Sequence, residues 1–229
     1  MTSPLDPHTK SYSHINGPVS ELLDRLAVAE LCKGWPVYRD ASEWANYRSL
    51  FADEATVWTT WSGPRPVDEF IAISKAGKVD GVFIMHRECG TLVELNPANG
   101  RAVGKMKATI TQRFRQADGL EFDVDCDCRF VFYCLKDPAA GGAWKARYVK
   151  LFYDKDKIVP ADGATAPTLT TDEKAEMAKL PEGYRYLGIM QKRLGYKVHE
   201  SLPTPRNQGW WDMYAAMEKW LDGADVLEL

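Results

Sequence analysis

One histidine stands apart from the other three in this chain. His8 and His14 lie in a polar N-terminal stretch and His199 lies near the C-terminus, whereas His86 sits in "FIMHRECG", directly after an apolar run. An imidazole titrates near neutral pH, so His86 is a candidate proton carrier. A packed core histidine and a metal ligand are the competing readings. The metal reading lacks partners. The five cysteines, at 32, 89, 126, 128 and 134, are irregularly spaced, and Cys126 and Cys128 form C-x-C on a strand rather than the C-x-x-C of zinc or redox sites. They read as reduced thiols of a cytoplasmic protein, and no metal is expected. A serine nucleophile has no support, since no G-x-S-x-G is present. Lys107 and Arg129 sit in strand-like segments and are candidates for holding an oxyanion or phenolate, with Lys105 on the same face as Lys107. Tyr38, Tyr47, Trp58, Trp61 and Tyr148 are candidate walls for a planar aromatic substrate. Tyr38 also counts among the candidate catalytic groups, and Thr109 and Thr111 among the substrate contacts. Lys107 and Arg129 can equally point to solvent, because alternation does not say which face of a sheet is inside, and the aromatics can simply build core.

The elements that must position these groups fall into two kinds. Ser20 precedes "ELLDRLAVAELCKGW", whose apolar residues recur at helical spacing, with Pro36 predicted to interrupt or kink the helix. Ser42 is placed to cap a second helix, "EWANYRSLF". "ADEATVWTTW" reads as a strand. A third short helix follows Pro66, with Asp68 and Glu69 favourable near its start. The period then changes to two. "GVFIMHRECGTLVEL", with a break predicted at Gly90, "RAVGKMKATITQRFRQ", "LEFDVDCDCRFVFYCLK" and "AWKARYVKLFYDKDKIVP" read as long antiparallel strands separated by turns. Helices followed by a meander argue an α+β fold. From about residue 160 a linker leads to three more helical segments. The last carries the stripe Trp210, Tyr214, Met217 and Trp220. The division is an arm at 1–18, a catalytic domain at 19–158 and a helical extension at 159–229, serving as lid or oligomer contact.

Bulk properties exclude several classes. Net charge is −3, with 45% hydrophobic and 27% charged residues, and no basic run supports nucleic-acid binding. No apolar run approaches the ~20 residues that span a bilayer, and the N-terminus lacks a secretory signal pattern.

The stretches "YRDASEWANYRSLFADEATVWTTW", "IMHRECGTLVELNPANGRAVGKMKATITQRF" and "CRFVFYCLKDPAAGGAWKARYVK" resemble, in order and spacing, the SnoaL-like branch of the NTF2-like superfamily over roughly residues 20–155. That resemblance implies a cone: a bent antiparallel sheet around a pocket, closed by N-terminal helices. The family includes cyclases, isomerases, scytalone dehydratase and bile-acid dehydratase, which use no metal or organic cofactor, and also non-catalytic binding proteins. Compared with scytalone dehydratase, the catalytic aspartate falls on Asp40 in "YRDASEW" and a catalytic histidine on His86. The second catalytic histidine falls on Thr111, and a serine–asparagine pair falls near Cys128 and Phe130. The resemblance therefore implies an Asp40–His86 proton carrier with a rebuilt polarising half. It suggests a cofactor-independent lyase for a phenolic alcohol. The most specific form is a γ-formaldehyde lyase that converts a lignin-derived diarylpropane diol to a stilbene. A dehydratase or isomerase of a polyketide-like phenol, and a non-catalytic binding module, are the alternatives. The implied partners are a small aromatic substrate and further copies of the chain, in a dimer or trimer.

Overall fold

In a computed structural model, residue 7, residues 12–205 and residues 207–229 are described. Most of the predicted arm, including His8, lies outside the described residues. The elements run α1 (Leu22–Asp40), α2 (Trp44–Ser49), β1 (Phe51–Thr59), β2 (Gly63–Pro66), α3 (Val67–Val79), β3 (Phe83–Asn96), β4 (Arg101–Arg115), β5 (Glu121–Asp137), β6 (Ala143–Pro160), α4 (Thr171–Met177), α5 (Arg185–Arg193) and α6 (Gln208–Leu221). Six strands form one curved, unclosed sheet in the order β2-β1-β6-β5-β4-β3. The α+β class and the cone are thus present. One pairing departs from the meander: β1 runs parallel to β6. Among the described residues no helix is long and apolar enough to cross a membrane.

Several boundaries differ from the sequence reading for local reasons. α1 runs through Pro36 to Asp40 without ending there. Ser20 falls in a short 3-10 turn ahead of α1 and does not cap it, and Ser42 adopts a left-handed conformation one residue before the cap of α2. Gly90 does not break β3. At φ +127°, a conformation open to glycine, it carries a bulge that shifts the register between Glu88 and Gly90.

The sheet has an inner and an outer face, and each has its own core. Directly paired residues share a face, so the row His86, Ile110 and Cys126 and the row Met106, Phe130 and Leu151 look inward. On α1, Val28, Cys32 and Trp35 follow helical spacing and meet this face. The helix approaches closely because Gly104 has no side chain: a Cβ there would lie 2.3 Å from Cys32 Sγ. The outer face carries Val103, Tyr133, Tyr148 and Phe152, and α6 covers it with Met213, Met217 and Trp220. Trp220 Nε1 donates to the carbonyls of Ala102 and Cys134 at 3.1 and 3.0 Å, fixing α6 on the sheet. The C-terminal helices therefore split. α6 seals the outer face, and α5 closes the mouth of the inner one.

Candidate active site

Strand alternation aims His86 inward, and the end of α1 brings Asp40 to it. The Asp40 carboxylate accepts twice from the same residue: Oδ2 from the His86 backbone N–H at 2.6 Å and Oδ1 from Nδ1–H at 2.8 Å. The second bond fixes the tautomer, so Nε2 is the ring nitrogen left for a ligand. The edges of Trp35 and Phe130 enclose the ring, with centroids 6.4 and 5.8 Å away. Burial is the main influence on its pKa and pushes it below the ordinary histidine value. Asp40 opposes this, while the charges of Arg39 and Lys78 add to the lowering. The ring is therefore a neutral base at pH 7. A carboxylate at a helix C-terminus faces the negative end of the helix dipole. Lys78 of α3 offsets this by donating to the Asp40 backbone carbonyl at 3.0 Å.

His86 opens on an internal cavity of two adjoining chambers. One is walled by Trp35, Phe70, Ile110, Phe130 and Tyr153 around the histidine. The other runs toward α3, past Ser74 and Lys78 to Tyr196. Arg39, Trp61, Ile84, Gln112 and Gln191 line both. Free space in each chamber is about 20 Å³, above the roughly 10–15 Å³ that one water needs. The roof is Gln191 of α5, whose Oε1 accepts from Thr60 Oγ1 at 2.8 Å and whose Nε2 donates to Gln112 Oε1 at 3.3 Å.

Of the sequence candidates, the structure brings together His86, Asp40 and Trp61. Tyr47 is fully buried nearby, its ring edge-on to Trp35 at 5.4 Å, in the field of Arg39. Tyr38 packs at the rim of the inner core and does not line the cavity. The others face outward, and for those the expectation is corrected. Lys107 is exposed and pairs in register with Arg129, on the outer face. Arg129 is held there by Asp154 at 3.0 and 3.2 Å and lies 4.1 Å from the ring centroid of Trp210 on α6. Lys105 shares that face and is paired with Glu94. Thr109 and Thr111 bond Asp127 and Asp125 across the outer surface, at 2.7 and 2.5 Å. Trp58 and Tyr148 pack against each other in the outer core. For Lys105, Lys107, Thr109, Thr111 and Arg129 the charged and hydroxyl phase of the strand falls outside, whereas Trp58 and Tyr148 belong to the separate apolar core that α6 covers.

Sequence reasoning missed Arg39, Gln112 and Gln191. A signal for Arg39 was present. It continues the buried stripe Val28, Cys32, Trp35 of α1 at helical spacing, so an arginine stands on the apolar face of a helix. Gln112 likewise continues the inward phase Met106, Ala108, Ile110.

Comparison with known proteins supplies the family and supports the fold. A family model described as a SnoaL-like domain matches residues 20–150. Structural neighbours include hexachlorocyclohexane dehydrochlorinase LinA type 2, at a TM-score of 0.53 and 12% identity, covering 66% of this chain and 99% of that one. The fold and the family match together define the class: an NTF2-like cone of the type that binds small molecules. Within that class, the chain belongs to the SnoaL-like domain family. Among curated relatives, the pea pathogenicity protein 2 of Fusarium vanettenii is 43% identical over 92% of this chain and 91% of its own length. An uncharacterized protein of Emericella nidulans is 40% identical over 97% and 96%. At these coverages the similarity to both relatives reaches beyond the cone into the C-terminal helical region.

Proposed function

We propose that this protein is a cofactor-independent lyase in which His86, oriented by Asp40, moves the proton for elimination from a phenolic alcohol. The observation that carries the reading is the doubly bonded Asp40–His86 pair facing an aromatic-walled cavity. Neutral Nε2 takes a proton from the substrate, and the carboxylate on the far nitrogen stabilises the imidazolium that forms. The imidazolium then returns its proton to the departing hydroxyl, so one residue serves as base and acid in turn. Trp35, Trp61 and Phe130 exclude water from the exchange.

The most specific version is a γ-formaldehyde lyase. It keeps the same proton carrier but has neither Lys107 nor Arg129 to steady a phenolate, since both lie on the outer face. Homo-oligomerisation and a cytoplasmic site of action belong to the same proposal. The test is product analysis of phenolic alcohols incubated with the full chain. Release of water alone identifies a dehydratase, and formaldehyde identifies the carbon–carbon lyase. Tight ligand binding with no turnover would point instead to a binding module.

A further inference from the structure

Every side chain lining the two chambers can be assigned a charge, and the sum is not zero. Arg39 and Lys78 are cations, His86 is neutral, and no aspartate or glutamate lines either chamber. Asp40 lies behind His86 and spends both oxygens on that residue. Arg39 is only 4% exposed, yet its Nε and Nη1 have no hydrogen-bond acceptor among the described residues. The Asp40 charge acts on it favourably from the next residue, and the ring of Phe70 lies 5.6 Å from the guanidinium carbon on the α3 side. The Trp35 indole N–H and the Ser74 hydroxyl, both on the cavity wall, also lack partners. The cavity thus presents unspent hydrogen-bond donors and a buried positive charge next to the proton carrier. A buried guanidinium with free N–H groups is costly to keep, whereas one facing an anionic oxygen makes strong charge-assisted bonds.

We infer that the chamber beside His86 is a carboxylate subsite anchored by Arg39, so that the substrate is a small aromatic hydroxy acid rather than a neutral alcohol. The inference rests on the reading of this cavity as the substrate site. Asp40 is one negative charge set against the two cations Arg39 and Lys78; a carboxylate is ionised at pH 7 and supplies the second, whereas a phenol arrives neutral. Arg39 precedes Asp40 in the chain, so α1 fixes the anchor and the aspartate that orients the base at adjacent positions. An organic acid larger than a few atoms must displace the Gln191 and Trp61 side chains to enter.

The test is titration of the full chain with acetate, benzoate, benzyl alcohol and phenol, followed by isothermal calorimetry and the His86 ring resonances. Wild type is expected to bind a carboxylate more tightly than the neutral probes. Arg39→Met is expected to weaken that binding at least tenfold, the scale of one charge-assisted hydrogen bond, and to leave benzyl alcohol unchanged. His86→Gln is expected to keep carboxylate binding, so that loss of the anion site and loss of the base are read separately. Arg39→Met removes a buried cation whose Nε and Nη1 have no acceptor, and its thermal midpoint is expected to match or exceed wild type. Should that variant not fold, the wild-type preference for carboxylate over neutral probe decides alone. Carboxylates that bind no better than benzyl alcohol or phenol, or benzoate affinity that survives Arg39→Met, would overturn the inference. Turnover of neutral alcohols with no carboxylate binding would remove this subsite and leave the acid–base reading standing.

Discussion

Replacing Asp40 with asparagine separates what the carboxylate does from the space it fills. In the wild type both oxygens accept, one from the His86 backbone N–H and one from Nδ1–H. An asparagine has one oxygen and one NH2 in the same positions. It keeps one of these bonds and turns a donor toward the other N–H. One buried donor then loses its acceptor, which costs about 1–3 kcal/mol of stability. The ring can relieve this by moving its proton from Nδ1 to Nε2, and that removes the lone pair that faces the cavity. The base is lost while the fold remains, so turnover should fall by ~10²-fold or more, the usual scale for an acid–base group. The pH profile gives a second reading. Burial lowers the His86 pKa and Asp40 opposes the lowering, so the variant's imidazole should titrate still lower. Nitrogen-15 spectra of the ring would show the tautomer and the titration directly, and thermal melts would give the stability change. Unchanged turnover with Nδ1 still protonated would refute the reasoning.

Other predictions follow from the same structure. Burial pushes the Asp156 carboxyl up to about 6 from an ordinary 3.8, with one oxygen bonded to the Leu187 backbone N–H and the other without a partner. The folded state therefore holds this proton more tightly than the unfolded chain. The stabilisation is full below about pH 4 and is lost as pH rises through about 6, amounting to ~3 kcal/mol at pH 8. Asp156→Asn should raise the thermal midpoint at pH 8 and leave it nearly unchanged at pH 4. Lys107→Ala should leave turnover at the wild-type level, because the side chain is exposed on the outer face. Arg129→Ala should cost about 1–2 kcal/mol by freeing Asp154 and undocking Trp210 of α6, read by denaturant melts, with little change in KM. Gln191→Ala should loosen the cavity roof by removing its bonds to Thr60 and Gln112, seen as faster ligand exchange.

How far the sequence carried these conclusions differs by element. The two periodicities gave the helices, the long strands and the α+β class, because a 3.6-residue stripe and a two-residue alternation are written locally. His86 was legible as unusual because a titratable ring interrupts an apolar strand phase. Asp40 was legible only through the resemblance, since nothing local links residue 40 to residue 86. The sense of the sheet was not legible. Lys107 and Thr109 alternate with Met106 and Ala108 identically whichever face is inside, and the packing of α1 against Gly104, Phe130 and Phe132 decides it. Trp58 and Tyr148 misled because α6 gives the outer face a core of its own, so buried aromatics there need not border the cavity. Gln191 was beyond reach, because its place over the cavity depends on how the chain returns after residue 160.

The central claim is that His86 is the proton carrier, and steady-state kinetics of His86→Ala on a turned-over phenolic substrate test it most directly. The account predicts a folded variant, with a wild-type far-ultraviolet spectrum, whose kcat falls by ~10²-fold or more. It also predicts that wild-type activity rises with pH through a value below the ordinary histidine pKa and then stays level, as a base neutralised by burial requires. Near-wild-type turnover in the folded variant would contradict it.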